Sequence, residues 1–151
     1  MEDTMPKRKK VALVLTILIL CFIWGQSLLD GDSSTRESDF IFRLIYPFLY
    51  RVFGEVDATS HLLRKLAHFV EFAALGCSLS LYFGFEQKSM LKAMNIALLA
   101  ALFDESIQLL TVSRGPQITD IWLDFSGAVT GIILFSGILY LFEAISKRSK
   151  R

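Results

Sequence analysis

Four residues able to do chemistry stand at one end of a membrane-length apolar stretch, Leu62 to Phe85: Arg64, Lys65, His68 and Glu71. A charged side chain at membrane depth costs roughly 2.5 kcal/mol or more, so such residues are paired, turned toward a bundle interior and functional. At about 100° per residue, Lys65, His68 and Glu71 or Phe72 fall on one helix face. That face calls for partners, and two later apolar stretches supply them.

Asp104, Glu105 and Gln108 lie in the last third of one stretch, and Asp120 and Asp124 open the next, with Arg114 in the turn between them. The spacings Asp104/Gln108 and Asp120/Asp124 are i, i+4, and Glu105/Gln108 is i, i+3, so each helix can turn its polar groups to one side. Counting Glu71, five carboxylates then face Arg64, Lys65, His68 and Arg114. Burial of such a set demands neutralisation by pairing or by shifted protonation. Groups in that state are candidates for acid–base work, here His68, Glu71 and Glu105, or for binding, where Arg64, Lys65 and Arg114 would engage an anionic ligand. An ion-pair network that merely holds helices together uses the same residues.

The oxygen-rich set suits calcium, magnesium or manganese better than zinc. With a single histidine in the set and no HExxH, no metal and no cofactor are assigned. Ser106, Ser113 and Ser126 have no nucleophile elbow or triad context. A net charge of +1 leaves no basic surface for nucleic acid.

The elements that must position these residues follow from hydropathy. The 151 residues are 53% hydrophobic, with mean hydropathy +0.48, and the apolar residues gather in runs. That is the pattern of a single polytopic membrane domain. Met1 to Lys10 is a basic tail, and Val11 to Leu29 is a first span, read as an uncleaved anchor because no A-x-A-like site follows it. Asp30 to Ser38 reads as an exposed loop. Asp39 to Gly54 is aromatic, with Arg43, Pro47 and Arg51 at i, i+4, i+8. It is too short to span and is expected either to lie in the interface or to pack as a lid over the bundle. A short polar linker, Glu55 to His61, leads into the second span, 62–85. A tight turn at Glu86 to Ser89 leads to a third at 90–112, and the Gly-Pro turn of Ser113 to Asp120 to a fourth at 121–142, followed by a basic tail, 143–151. Gly127 and Gly131 form a small-xxx-small pattern that fits internal helix packing or a homodimer. Cys21 and Cys77 read as small hydrophobes.

Four spans put both termini on one side, together with ten of the sixteen basic residues. The positive-inside rule assigns that side to the cytoplasm. At about 1.5 Å per residue, His68 and Glu71 then lie about 9 and 13 Å below Leu62, and Asp104, Glu105 and Gln108 about 12, 10 and 6 Å below Val112. Three helices carry polar groups at matching depth on the outer side. The inner halves of helices two to four show no polar track, which argues against a conducting monomer.

Read together, RKLAHFVEFAALG, DESIQLL, Arg114, Asp120 and LDFSGAVTG resemble the VanZ-like family of small bacterial membrane proteins. Lys65, His68, Glu71, Glu105, Gln108, Arg114 and Asp120 match its pattern position by position, across roughly Arg64 to Gly131. Phe72 stands where tyrosine is common and Asp124 where asparagine is more usual. The resemblance implies a role in the cell envelope, since founding members are associated with resistance to the lipid-tailed glycopeptide teicoplanin without replacement of the wall precursor.

The expectation is therefore an all-α, four-transmembrane-helix bundle in the cell membrane. Its outer pocket is formed by Arg64, Lys65, His68, Glu71, Asp104, Glu105, Gln108, Arg114, Asp120 and Asp124 and opens toward membrane lipids. The expected partner is a lipid-linked wall precursor or a lipoglycopeptide. An enzyme acting on a lipid-linked substrate through His68 or Glu105 is the alternative.

Overall fold

A computed structural model describes residues 5–28, 51, 60–110 and 117–149, with only the backbone described at 60–63 and 149. The expected interfacial segment, 39–54, lies outside the described residues except for Arg51, as does Arg114. The described residues form four helices and no strand: α1 (Lys7–Leu28), α2 (Ser60–Phe83), α3 (Gln87–Gln108) and α4 (Ile118–Ser149).

Helix is what these sequences dictate once water is excluded, because only intrahelical bonds satisfy the backbone of a lone apolar segment. Three stretches are long and apolar enough to cross a membrane: Lys7–Leu28, Arg64–Phe83 and Ile118–Arg148. Helix α3 has the same length as α1, 22 residues. It carries Lys88 and Lys92 near its start and Asp104 and Glu105 near its end, which sets it apart from the other three.

Several helix ends differ from the sequence expectation for local reasons. Gly84 takes φ +93°, the left-handed conformation that ends helices at glycine, so α2 stops at Phe83 rather than Phe85. Glu86 is extended and precedes α3 directly, which shortens the turn and brings the start forward to Gln87. Helix α4 begins at Ile118 and runs on to Ser149. Its continuation past Phe142 meets no glycine or proline, and Glu143 and Lys147 pair at i, i+4 with 2.6 Å between Oε1 and Nζ. The basic tails are likewise partly helical, since α1 already starts at Lys7.

Helix α2 touches the other three and packs most extensively on α4. The reason is close backbone approach. A Cβ on Gly127 would strike the carbonyl oxygen of Phe69, one on Gly131 that of Ala73, and one on Gly76 that of Ala128. The small-xxx-small pattern of α4 thus seats it on α2 within the chain. Helix α3 turns a stripe of small residues inward, Ala93, Ala97, Ala100 and Ala101, all buried. Phe72, Leu75, Leu79, Ile132 and Ile23 fill the space between helices.

Large residues such as Val14, Leu99, Phe103, Leu134 and Ile145 point outward and are more than half exposed. Small residues inside and large apolar ones outside suit lipid rather than water as solvent. The inner halves also contain hydroxyls that hydropathy does not reveal. Thr16 and Ser78 are 3.0 Å apart across α1 and α2, and Ser136 donates to Ser80 across α4 and α2 at 3.3 Å. These are hydrogen-bonded packing contacts without charge.

Candidate functional site

The expected convergence is present at the end of the bundle where α2 and α4 begin and α3 finishes. At its rim Lys65 Nζ meets Asp120 Oδ1 at 2.7 Å, with the two side chains 28% and 20% exposed. Lys65 is in the second turn of α2 and Asp120 in the first turn of α4, so this ion pair clamps two helix starts together. One turn deeper, i+3 on α2 and i+4 on α4, stand His68 and Asp124.

Asp104 joins them from α3. Its side chain is completely buried, and both oxygens accept short hydrogen bonds, Oδ1 from Ser27 Oγ at 2.6 Å and Oδ2 from Gln108 Nε2 at 2.7 Å. His68, Asp104 and Asp124 offer nitrogen or oxygen atoms that all lie within 4.8 Å of one another. Glu71, one turn below His68, has Oε2 at 3.7 Å from His68 Nδ1. That is too long for a hydrogen bond as it stands, and the two groups are on one face.

Glu105 is buried near the end of α3, where its Oε2 accepts the Gln117 backbone N–H at 3.3 Å. The carboxylate therefore ties the end of α3 to the approach to α4. Gln108, through its bond to Asp104, braces the same end from within.

Between the helices lies a cavity of about 10 Å³ lined by Arg64, Lys65, His68, Gln108, Asp120 and Asp124, with Leu123 as its apolar wall. That is room for about one water or one small ion. A second space of about 420 Å³ is wholly different in character: an apolar groove between α1 and α3 formed by Leu20, Trp24, Ile96, Leu99, Ala100 and Phe103. Trp24 and Phe103 meet edge to face at 4.8 Å there, and the Trp24 indole N–H is buried without a hydrogen-bond partner among the described residues. Asp104 follows Phe103 in sequence and Ser27 lies one turn after Trp24, so the groove and the Ser27–Asp104 bond occupy neighbouring stretches of α1 and α3.

Of the residues singled out from sequence, Lys65, His68, Gln108, Asp104, Asp120 and Asp124 come together, with Arg64 on the cavity wall and Glu71 behind His68. Glu105 is buried nearby and bonded to the Gln117 backbone, and Arg114 lies outside the described residues. Sequence reasoning missed Ser27. The available signal was a buried-size hydroxyl in the polar interruption Gly25-Gln26-Ser27 at the end of the first apolar run.

An all-helical bundle with three membrane-length apolar helices and a buried ionic cluster at one end defines a class of membrane protein. The family model for VanZ/LLP1 matches residues 12–142. The chain belongs to the VanZ/LLP1 family. No curated protein and no solved structure matches it.

Proposed function

We propose that the chain is a four-span protein of the cell envelope, with both termini in the cytoplasm, that binds a lipid-linked or lipid-tailed ligand of the teicoplanin type in its outer half. The observation that carries this reading is the nearness of two unlike surfaces: the 420 Å³ apolar groove is lined by Trp24 and Phe103, next along α1 and α3 to Ser27 and Asp104 of the polar cluster. A tail in the groove would leave a polar head beside Lys65, Arg64 and the acids. Binding by both parts would be stronger than by either, because each raises the effective concentration of the other.

Helix α3 serves as the fourth span in this reading. Its lysines, Lys88 and Lys92, sit at the cytoplasmic end, where long side chains reach the headgroups, and its acids are buried inside the bundle. The basic residues of both tails favour the same orientation. The aromatic, arginine-bearing segment 39–54 fits an interfacial cap over the outer opening.

The test is lipoglycopeptide susceptibility of a sensitive bacterium expressing the wild type, His68→Ala or Glu105→Gln at equal membrane levels. Protection by the wild type that His68→Ala loses is the expected result. No protection by any of them would detach the chain from the resistance role.

One geometric feature favours a second reading, an enzyme acting on a lipid-linked envelope substrate: the His68–Glu71 approach has the form of a base beside the group that orients it. In that case Glu105 or His68 exchanges the proton. Glu105→Gln, which keeps the shape and removes the titrating group, then abolishes function at unchanged helix content. An active Glu105→Gln protein would remove Glu105 from that role.

A further inference from the structure

His68 of α2, Asp104 of α3 and Asp124 of α4 each bring one ligand-type atom to a common point, all within 4.8 Å of one another. Around a divalent ion bound at about 2.1 Å, neighbouring ligand atoms are about 3 to 4 Å apart, so small side-chain movements complete the site. Asp124 is the observation that asks for a ligand. It is 2% exposed, it lines the small polar cavity, and no hydrogen bond among the described residues reaches its carboxylate. A buried carboxylate with no donor is costly.

The neighbouring lysine is otherwise engaged. Lys65 is held by Asp120 at 2.7 Å. Across the cluster, the five carboxylates Glu71, Asp104, Glu105, Asp120 and Asp124 outnumber the permanent cations Arg64 and Lys65, and do so even when Arg114 is counted in full. A doubly charged cation would correct that imbalance. The cavity of about 10 Å³ admits an ion of this size and nothing much larger.

The surroundings are also those of a metal site. Asp104 is fixed in direction by Ser27 and Gln108, and Glu71, 3.7 Å from His68 Nδ1, is a small side-chain movement away from the outer-carboxylate position that orients a ligating imidazole. One imidazole and two carboxylates form a mixed nitrogen–oxygen set, which suits a divalent first-row cation, for which Mn²⁺ serves as the paramagnetic probe. We propose that His68, Asp104 and Asp124 bind such a cation, bridging α2, α3 and α4. The proposal goes beyond the lipid-ligand reading and stands without it, because it concerns the buried end of the cluster.

The experiment uses the full chain purified in detergent, stripped with chelator and titrated with Mn²⁺ alone, with free Mn²⁺ followed by electron paramagnetic resonance. About one Mn²⁺ per chain is expected. Pulsed resonance on the wild type should show coupling to an imidazole nitrogen, and Asp124→Asn and Asp104→Asn should each weaken binding tenfold or more at unchanged helix content. Zn²⁺ should displace Mn²⁺. The proposal is overturned if the wild type holds no Mn²⁺ above a detergent blank, if bound Mn²⁺ shows no nitrogen coupling, or if both substitutions leave affinity unchanged. The nitrogen coupling is read on the wild type, so the test survives a variant that misfolds. Cation binding and drug protection are separate readouts, and either can fail alone.

Discussion

Ser27 Oγ of α1 donates a 2.6 Å hydrogen bond to Asp104 Oδ1 of α3, joining the innermost acid of the cluster to the one helix that contributes no charge to it. Both side chains are fully buried. Ser27→Ala leaves Oδ1 short of a donor in a place water does not reach, at a cost of about 1 to 3 kcal/mol. Thermal unfolding of the purified protein in detergent should show the midpoint falling for Ser27→Ala and falling less for Ser27→Thr, which keeps the hydroxyl. An unchanged midpoint for Ser27→Ala would mean the bond does not hold α1.

The Lys65–Asp120 pair joins two helix starts at a partly exposed rim, so its worth lies between that of a surface pair and a buried one. A double-mutant cycle of Lys65→Ala and Asp120→Ala should give a coupling of about 1 kcal/mol. Lys65→Arg, which keeps the charge, should retain most of the stability and part of any ligand-dependent activity. Additive single effects would show that the pair is an incidental meeting of solvated side chains.

Glycines on one helix should behave in opposite ways. A Cβ at Gly131 meets the carbonyl of Ala73, whereas one at Gly137 has nothing within 4 Å. Gly131→Ala must push α4 off α2 against backbone, and a loss of about 2 kcal/mol or more is expected. Gly137→Ala should be neutral or stabilising, since alanine is the better helix former by about 1 kcal/mol. Unfolding midpoints of the two variants compare them directly, and equal behaviour would contradict the packing of α4 on α2.

What the sequence revealed and what it hid divide along physical lines. Hydropathy located all four helices, and the rise per residue placed His68 and Asp104 at similar depth. Rotation about a helix axis is a different matter. Helix α1 is apolar on nearly every side, so no polar face marked Ser27 as inward, and the hydroxyl pairs Thr16–Ser78 and Ser80–Ser136 were equally silent. Helix ends were hidden where one residue decides them: Gly84 stops α2, while nothing beyond Phe142 stops α4. Glu105 is buried with the other acid of α3, but its bond to the Gln117 backbone is one that helical spacing does not report.

The groove beside Trp24 offers the most direct test of tail binding. Ile96 lines it and is 37% exposed, so Ile96→Phe would fill space that the proposed tail needs while sparing the buried stripe of α3 and His68, Asp104 and Asp124. Partial filling excludes a chain because each buried methylene contributes about 0.8 kcal/mol, and losing several costs orders of magnitude in affinity. Where the wild type protects a sensitive bacterium from a lipid-tailed glycopeptide, Ile96→Phe at equal membrane level should lose most of that protection, yet keep helix content. Tryptophan emission gives an independent view. With Trp122→Phe as background, Trp24 is the sole indole, and addition of the lipid-tailed drug to protein in detergent should shift or quench its emission, whereas a tail-free analogue should not. Full protection by Ile96→Phe together with a silent Trp24 would move the ligand off the groove and leave the polar cluster to act without it.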